Sequence, residues 1–155
     1  MNKKILHCAI GLLSRREHAK KELLQKLQQR EYENTEIEAV LEYLIKKNYL
    51  SDKRFADCVY RARVSKGYGW LYIKNALAQK EVCSTIIEEL RKNDEIDWYL
   101  QAELAYNKRF GTSAIAHYEE RSQQLKEKAK RIRFLQGRGF ATDEIMAVLN
   151  HQYSD

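Results

Sequence analysis

The side chains of this chain best suited to chemistry are basic and lie in two runs. The stretch from Lys53 to Lys74 holds six basic residues against one acidic residue, Asp57. The stretch from Lys126 to Arg138 also holds six, against only Glu127. Three aromatic residues, Tyr68, Trp70 and Tyr72, alternate with other residues near the end of the first run. Because Lys and Arg bind phosphates and carboxylates, and aromatic rings stack on nucleobases, the runs indicate a surface for a polyanion or an acidic protein.

Helical geometry gathers part of the first run on one face. At 100° per residue, Arg54, Arg61 and Ser65 share a face of their predicted helix. This face lies away from three positions that are expected to point inward: Phe55, Val59 and Ala62. The basic face is therefore predicted to stay accessible to a partner.

The second run has the same arrangement. Lys126, Lys130 and Arg133 share a face, away from Leu125 and Ile132. A charged run is most often only a solvated helix face, and that interpretation stays open here. The residues predicted to contact a partner are Arg54, Arg61, Arg63, Lys66, Tyr68, Trp70, Lys74, Lys126, Lys130, Arg133 and Arg138.

Catalytic chemistry has no comparable signal. The sequence contains no phosphate-binding loop motif, nucleophile elbow or metal-ligand spacing, so we expect no catalytic residue, metal or cofactor. The stretch KGYGW at 66–70 follows a predicted helix, so Gly67 is interpreted as a left-handed helix C-cap rather than part of a phosphate cradle. Gly139 is interpreted in the same way, with Phe140 folding back on the preceding helix.

The cysteines and the apolar segments indicate the cellular compartment in which the protein is expected. Cys8, Cys58 and Cys83 are an odd number of thiols, far apart, which favours buried thiols in a reducing compartment. No stretch approaches the roughly 18 apolar residues that a membrane helix needs. The opening segment is interpreted as an amphipathic helix rather than a signal peptide, because Ser14-Arg15-Arg16 stands where a cleavage site would. We therefore expect a cytoplasmic protein.

The composition predicts that helices position these residues. The 155 residues include no proline and six glycines, 44% are hydrophobic, and the net charge is +6 with a pI near 9.2. A chain this poor in turn residues favours helices, and no alternating strand pattern is present. The fold class predicted is all-α.

An internal repeat organises the chain. Residues 27–41, LQQREYENTEIEAVL, match residues 135–149, LQGRGFATDEIMAVL, at eight of fifteen positions, and residues 77–91 match more weakly. The matches keep the apolar positions and one turn position, occupied by Tyr32, Val82 and Phe140. Chance similarity between amphipathic helices is the alternative. We expect three modules of three helices each, at 1–50, 51–94 and 95–155.

Helix ends and core residues follow from the same pattern. The clearest boundaries predicted are helices at about 3–14, 18–30 and 116–137, with caps at Asn34-Thr35, Ser51-Asp52 and Thr142-Asp143. Five aromatic residues are expected to be largely buried: Phe55, Trp98, Phe110, Phe134 and Phe140.

These segments resemble the RecX family of regulators of the bacterial recombinase RecA. The resemblance covers nearly the whole chain and is carried by LLSRREHAKKELLQKL (12–27), YLSDKRFADCVYRARVSKGYGWLYIKNAL (49–77), DW with a following KRF (97–98 and 108–110) and RFLQGRGF (133–140). One departure is His18-Ala19, where the family commonly has an aromatic residue followed by serine. The missing serine is expected to weaken a helix N-cap by about 1 kcal/mol.

The resemblance implies an elongated, curved array of three tandem three-helix modules without catalytic residues. It implies a cytoplasmic protein, expected to be a monomer, that lies along the groove of RecA–DNA filaments and inhibits recombination and the associated coprotease activity. Single- or double-stranded DNA is left open as a further partner.

A general DNA-binding protein of tandem helical modules is the alternative, and an enzyme is the least favoured class. A DNA-reading helix would carry Arg, Asn or Gln near its start. The helix starts at Thr35–Glu38 and Thr142–Glu144 are acidic and would repel phosphate. These helices are therefore interpreted as structural.

Overall fold

The computed structural model of the chain describes residues 1–111 and 113–154. Its helices are α1 (Lys3–Arg15), α2 (Lys20–Gln29), α3 (Asn34–Lys46), α4 (Asp52–Ser65), α5 (Trp70–Gln79), α6 (Ser84–Asn93), α7 (Trp98–Phe110), α8 (Arg121–Gly137) and α9 (Thr142–Ser154). A single 3₁₀ turn, Ile115–His117, precedes α8. Within these ranges there is no β-strand, and the all-α prediction is confirmed.

The chain forms two compact units. Unit 1 comprises Met1–Tyr60 and Ala76–Asn93, and unit 2 comprises Arg61–Asn75 and Asp94–Asp155. The division of the chain into modules at residues 50 and 94 stays a prediction.

The core of unit 1 is built from the apolar stripes of α1, α2 and α3. Its fully buried side chains are Ile5, Ala9, Leu23, Leu27, Ile37, Val40, Leu41 and Leu44. They recur three or four positions apart, as one face of each helix requires. Burying each of the larger side chains contributes about 1.5–3 kcal/mol, so the three stripes hold the helices together.

The start of α2 is capped by a residue of another helix. Its N-cap, Ala19, has no side chain to accept a hydrogen bond. The N–H of Lys20 instead donates to Oδ1 of Asp52 at 2.7 Å. Asp52 is free for this contact because Ser51 Oγ accepts from the Arg54 N–H at 3.2 Å and so caps α4. Asp52, 32 residues further along the chain, therefore replaces the helix cap that was predicted to be weak at His18-Ala19.

The predicted cap of α3 is wrong. The residue before the helix is Glu33, whose side chain makes no capping hydrogen bond, and Asn34 is already helical. Asn34 Oδ1 accepts from Gln28 Nε2 at 3.2 Å instead. A side chain in the preceding helix therefore competes with the local backbone for Asn34.

The predicted helix over 116–137 is also corrected. The 3₁₀ turn and α8 are separate because Tyr118 and Glu120 both have extended backbone, with ψ near 130°. Gln124 Nε2 donates to the Tyr118 carbonyl oxygen at 2.7 Å and fixes this break.

The internal repeat has a structural counterpart in three turns. Glu31, Glu81 and Gly139 all have positive φ, at 64°, 56° and 93°. Their N–H groups donate to equivalent carbonyl oxygens three residues earlier, those of Gln28, Ala78 and Gln136. These positions are separated by the same 50 and 108 residues as the sequence repeat. The turns end α2, α5 and α8, and the repeat is therefore structural rather than a chance similarity.

The core of unit 2 contains a buried arginine. Arg131 is 1% exposed, its Nε lies 2.9 Å from Glu127 Oε1, and its Nη1 donates to the Ser113 carbonyl oxygen at 2.7 Å and to the Tyr106 hydroxyl. Its guanidinium carbon lies 4.9 Å from the centre of the Phe110 ring. Apolar side chains complete the core: Trp98, Ala102, Ile115, Leu135, Phe140, Ile145, Val148 and Leu149.

Three of the five aromatic residues predicted to be buried are buried: Phe55, Trp98 and Phe140. Phe110 and Phe134 are only half-buried, because arginine side chains rather than apolar ones cover part of their rings. Ala62, predicted to point inward, is exposed, since α4 buries only Phe55 and Ala56.

The prediction of buried thiols is wrong for two of the three cysteines. Cys58 and Cys83 are exposed, and Cys8 is partly buried. Cys58 lies outside the narrow buried stripe of α4. Cys83 precedes α6, where its carbonyl oxygen accepts from Ile87 while its side chain faces outward.

Candidate partner-binding surface of unit 2

Two glycine-containing motifs meet backbone to backbone in unit 2. The Gly69 N–H donates to the Arg138 carbonyl oxygen at 2.7 Å, and the Leu71 N–H donates to that of Gly139 at 3.0 Å. A Cβ on Gly69 would lie 2.4 Å from the Gly139 oxygen, and one on Gly139 would lie 2.4 Å from the Tyr72 nitrogen. Only glycine fits at both positions, so this contact fixes the end of α8 against the start of α5.

The end of α4 has the predicted left-handed cap. Gly67 has φ 86°, and the Tyr68 N–H donates to the Arg63 carbonyl oxygen at 3.0 Å. Gln101 Nε2, on α7, donates to the Val64 carbonyl oxygen at 2.7 Å. The last turn of α4 is therefore held by α7 on one side and by the α8 motif on the other.

A cleft of about 360 Å³ opens where α4 ends beside α7 and α8. We call it the unit 2 cleft. Its basic residues are Lys66, Lys108, Arg109 and Arg138. Its apolar residues are Val64, Leu104, Ala105 and Phe134. No acidic residue is found among the described residues that line it.

Aromatic rings orient the two arginines of the cleft. The Arg138 guanidinium carbon lies 4.7 Å from the centre of the Tyr68 ring and 5.3 Å from that of Phe134. The Arg109 guanidinium carbon lies 6.0 Å from the centre of the Phe134 ring. A guanidinium stacked on a ring is held in place but keeps its charge and its N–H donors. The cleft therefore presents fixed positive charge.

The predicted aromatic contact residues are not free stacking platforms. Tyr68 and Tyr72 stack on each other at 4.2 Å, and the Arg63 guanidinium carbon lies 5.4 Å from the centre of each ring. Trp70 is half-buried, with its ring centre 6.3 Å from that of Trp98. These rings build the scaffold and leave little face for a nucleobase.

Three predicted basic residues do lie together on α8. Lys126, Lys130 and Arg133 line a shallow depression of about 560 Å³ with Tyr118 and Glu127. We call these three residues the α8 patch. Arg131 belongs to the same basic run of the sequence, but its side chain is buried and is not part of this surface.

Arg54 is engaged within unit 1. Its Nε donates to Glu17 Oε1 at 2.9 Å, its Nη1 to Asn48 Oδ1 at 2.9 Å, and its Nη2 to the Asn48 carbonyl oxygen at 2.8 Å. A helical wheel gives the direction of a side chain but not its partners on other elements. As a residue that contacts a partner, Arg54 remains an untested prediction, and these contacts assign it a structural role.

The remaining candidates are accessible but scattered. Arg61 and Lys74 are exposed in unit 2, and neither lines the cleft or the depression of the α8 patch. Lys108 and Arg109, which line the cleft, were not among the predicted contact residues. The KRF segment at 108–110 was the available signal, since it places two cations in the last turn of α7.

Other kinds of site have no support in the described ranges. No group of three or more His, Cys, Asp or Glu residues there could hold a metal ion. Among the helices of the same ranges, none combines the length and apolar character needed to cross a membrane.

The arrangement defines a tandem helical protein with a basic surface on its second unit, and comparison with known proteins assigns its family. Models of the first, second and third three-helix domains of RecX match residues 6–44, 51–90 and 95–149. The chain belongs to the RecX family, a family of regulatory proteins.

Curated relatives agree over most of their length. The protein named Regulatory protein RecX of Vibrio parahaemolyticus is 40% identical over 148 residues, which cover 95% of this chain and 90% of the relative. That of Haemophilus influenzae is 37% identical over 147 residues, 94% of this chain and 93% of the relative. The crystal structure of RecX from Lactobacillus salivarius has a TM-score of 0.75 at 22% identity, covers 99% of this chain and 97% of its own, and shows that the fold is shared.

Proposed function

We propose that this chain is a non-enzymatic inhibitor of a RecA recombinase that binds RecA–DNA filaments. It would act as a cytoplasmic monomer and modulate recombination, DNA repair and SOS-linked activity. Membership of the RecX family supports the class of partner. The observation that carries the proposed surface is the convergence of Lys66, Lys108, Arg109 and Arg138 on one cleft.

The charge of this cleft is available to a partner. Within the described residues, none of its four basic side chains forms an ion pair. A recombinase filament offers both acidic side chains and DNA phosphates. Complementary charge accelerates association and suppresses wrong partners, which suits a regulator that must find assembled filaments.

The α8 patch is the better candidate for phosphate contact. Lys126, Lys130 and Arg133 follow one another at spacings of four and three residues along a single face of α8, so they can follow a nucleic-acid backbone. Affinity for DNA falls as salt rises, and each phosphate contact makes the slope of log affinity against log salt more negative by about 0.9 for duplex DNA. We propose that this patch touches DNA within the filament.

The alternative, a general DNA-binding protein, has less support. The acidic residues at two helix starts are used internally: Glu144 Oε1 accepts from the Ala141 N–H at 2.8 Å, and Glu36 Oε2 accepts from Asn2 Nδ2 at 3.3 Å. These contacts give both helix starts a structural role and leave acidic residues where a reading helix would need donors.

Charge reversal in the cleft tests the proposal. We expect Lys66→Glu/Lys108→Glu to weaken inhibition of RecA ATPase activity by about tenfold or more, because each change replaces an attraction by a repulsion. Lys3→Glu/Lys4→Glu, an equal charge change at exposed positions of α1, is the control and should have a smaller effect. Equal loss of inhibition in the two variants would mean that only the net charge of the protein matters, and it would contradict the choice of the cleft as the binding surface. Tighter binding to bare duplex than to RecA-coated single strands would favour the alternative.

A further inference from the structure

We infer that the unit 2 cleft docks an acidic segment of the partner protein, in which carboxylates flank one bulky apolar side chain. The inference rests on the proposed function, since it assigns this cleft to the protein component of the filament rather than to its DNA. The chemistry of the occupant follows from three features of the cleft.

The first feature is an apolar wall next to the cations. Leu104 and Phe134 line the cleft, and its volume of about 360 Å³ lies in the range of small ligand pockets, about 300–1,000 Å³. Leu104 is 57% exposed, and Leu100, one turn earlier on α7, is 50% exposed. Two exposed leucines in line with a cleft form a strip that an apolar side chain of a partner can cover.

The second feature is the fixed geometry of the cations. Phe134 holds Arg138 and Arg109 at 5.3 Å and 6.0 Å from its ring centre, while Lys66 and Lys108 are exposed at the cleft mouth. A guanidinium can bind a carboxylate through two parallel hydrogen bonds. Because the rings already restrict the arginines, a carboxylate would bind at a reduced cost in side-chain entropy.

The third feature separates a peptide from single-stranded nucleic acid. Proteins that bind single strands stack bases on open aromatic faces. In the cleft, Arg138 and Arg109 lie over the Phe134 ring. The neighbouring Tyr68 ring contacts Arg138 and stacks on Tyr72. Bases would therefore have to displace arginines, whereas carboxylates would use them. An acidic segment with an apolar anchor fits better.

Peptide binding measured by fluorescence anisotropy tests this inference. The probe is a short labelled peptide of Asp, Glu and Ser with one central Leu. Control peptides replace the Leu by Ser, or every Asp and Glu by Asn and Gln, and a dT oligonucleotide of equal length serves as the nucleic-acid probe. We expect each control peptide to bind about tenfold more weakly than the probe, which is about 1.4 kcal/mol.

Two variants of the cleft and one control variant locate the binding on the protein. Lys66→Gln/Lys108→Gln should weaken binding of the acidic peptide about tenfold, and Leu104→Ser should weaken the Leu peptide but not the Ser peptide. Lys126→Gln/Lys130→Gln, the same charge change on the α8 patch, should leave peptide binding within about twofold. Circular dichroism confirms that each variant is folded, and all three changes are at exposed positions.

Each contrary result overturns the inference. These results are no binding of the probe, equal binding of the Leu and Ser peptides, equal loss in the two lysine pairs, and displacement of the peptide by the dT oligonucleotide. The inhibition assay separates this inference from the proposed function. A parent protein that inhibits RecA but ignores the peptide leaves the filament proposal standing and removes the acidic segment from it.

Discussion

The two units hold their arginines in different ways. In unit 1, Arg16 pairs with Glu22 and Arg54 pairs with Glu17, each at 2.9 Å. In unit 2, Arg138 of the cleft lies over the rings of Tyr68 and Phe134, and none of the described residues lining the cleft carries a carboxylate. In an ion pair the charge of the arginine is neutralised by a carboxylate of the same protein. An aromatic ring carries no net charge, so an arginine that lies over a ring can still attract a partner. The charge counted in a sequence is therefore not the charge offered to a partner.

Arg131 shows that position within a unit also matters. It belongs to unit 2 and touches aromatic rings, but it is buried and paired with Glu127. Loss of either partner of this buried pair should be strongly destabilising, because the group that remains cannot be solvated by water. Arg131 is thus a core residue within a basic run.

The largest expected effect comes from removing this buried arginine. Arg131→Met leaves Glu127 and the Tyr106 hydroxyl without their partner and should lower the free energy of unfolding by about 3–5 kcal/mol. Urea denaturation measures the loss. Arg133→Met, two residues along the same helix and exposed, is the matched control and should change stability by less than about 0.5 kcal/mol. A loss under about 1 kcal/mol for Arg131→Met would show that the pair is not structural.

The repeated turn allows a second comparison between the units. Gly139→Ala should cost about 2 kcal/mol or more, since φ is 93° and the new Cβ would meet the Tyr72 backbone. Glu81→Gly at the equivalent turn of unit 1 should be neutral or stabilise by up to about 1 kcal/mol, because Glu81 already has positive φ. Thermal and urea melts of both variants measure these changes. Destabilisation by both would mean that the turns are not equivalent.

Acid should weaken unit 1 through Glu22. Burial alone would raise the pKa of Glu22, but the hydrogen bonds and charge of Arg16, with the charges of Lys80 and His18, lower it to about 2. The unfolded chain, with an ordinary Glu pKa near 4.3, takes up this proton first as the pH falls. Stability should therefore be lost between about pH 5 and pH 2, by about 2 kcal/mol after allowing for solvent screening.

His18 acts in the same direction at higher pH. Burial lowers its pKa, and Lys26 Nζ donates to its Nε2 at 2.9 Å, which favours the neutral ring. The unfolded chain binds this proton first below about pH 6.5, so stability falls there too. Unfolding free energies of the parent and of Glu22→Gln across pH 7 to 3 separate the two groups. An equally steep acid loss in Glu22→Gln would contradict the role of the Arg16–Glu22 pair.

Local sequence patterns were enough to predict the repeat and most of the helices, although not the break before α8. The spacing of Leu23, Leu27, Ile37 and Val40 predicted buried faces, because burial follows helical periodicity. The repeat also predicted a shared turn at Tyr32, Val82 and Phe140, and the residues with positive φ, Glu31, Glu81 and Gly139, each lie one position earlier. Each of these features depends on residues that are close in the chain.

Features that depend on distant residues were not predictable in this way. Asp52 caps α2 from 32 residues away, and Glu17 pairs with Arg54 from 37 residues away. The cleft needs the ends of α4 and α8 beside α7, so Lys108 and Arg109 gained their role only once these helices met. Nothing in the local pattern distinguished the buried Arg131 from the exposed Arg133.

The most direct test of the central claim compares one substitution in the two environments. Arg54→Gln and Arg138→Gln are each assayed for urea stability and for inhibition of RecA ATPase activity. We expect Arg54→Gln to lose about 1 kcal/mol of stability with inhibition unchanged, and Arg138→Gln to lose about tenfold in inhibition with a smaller change in stability. Equal loss of inhibition in the two folded variants would contradict the claim that ring-held and ion-paired arginines have different roles.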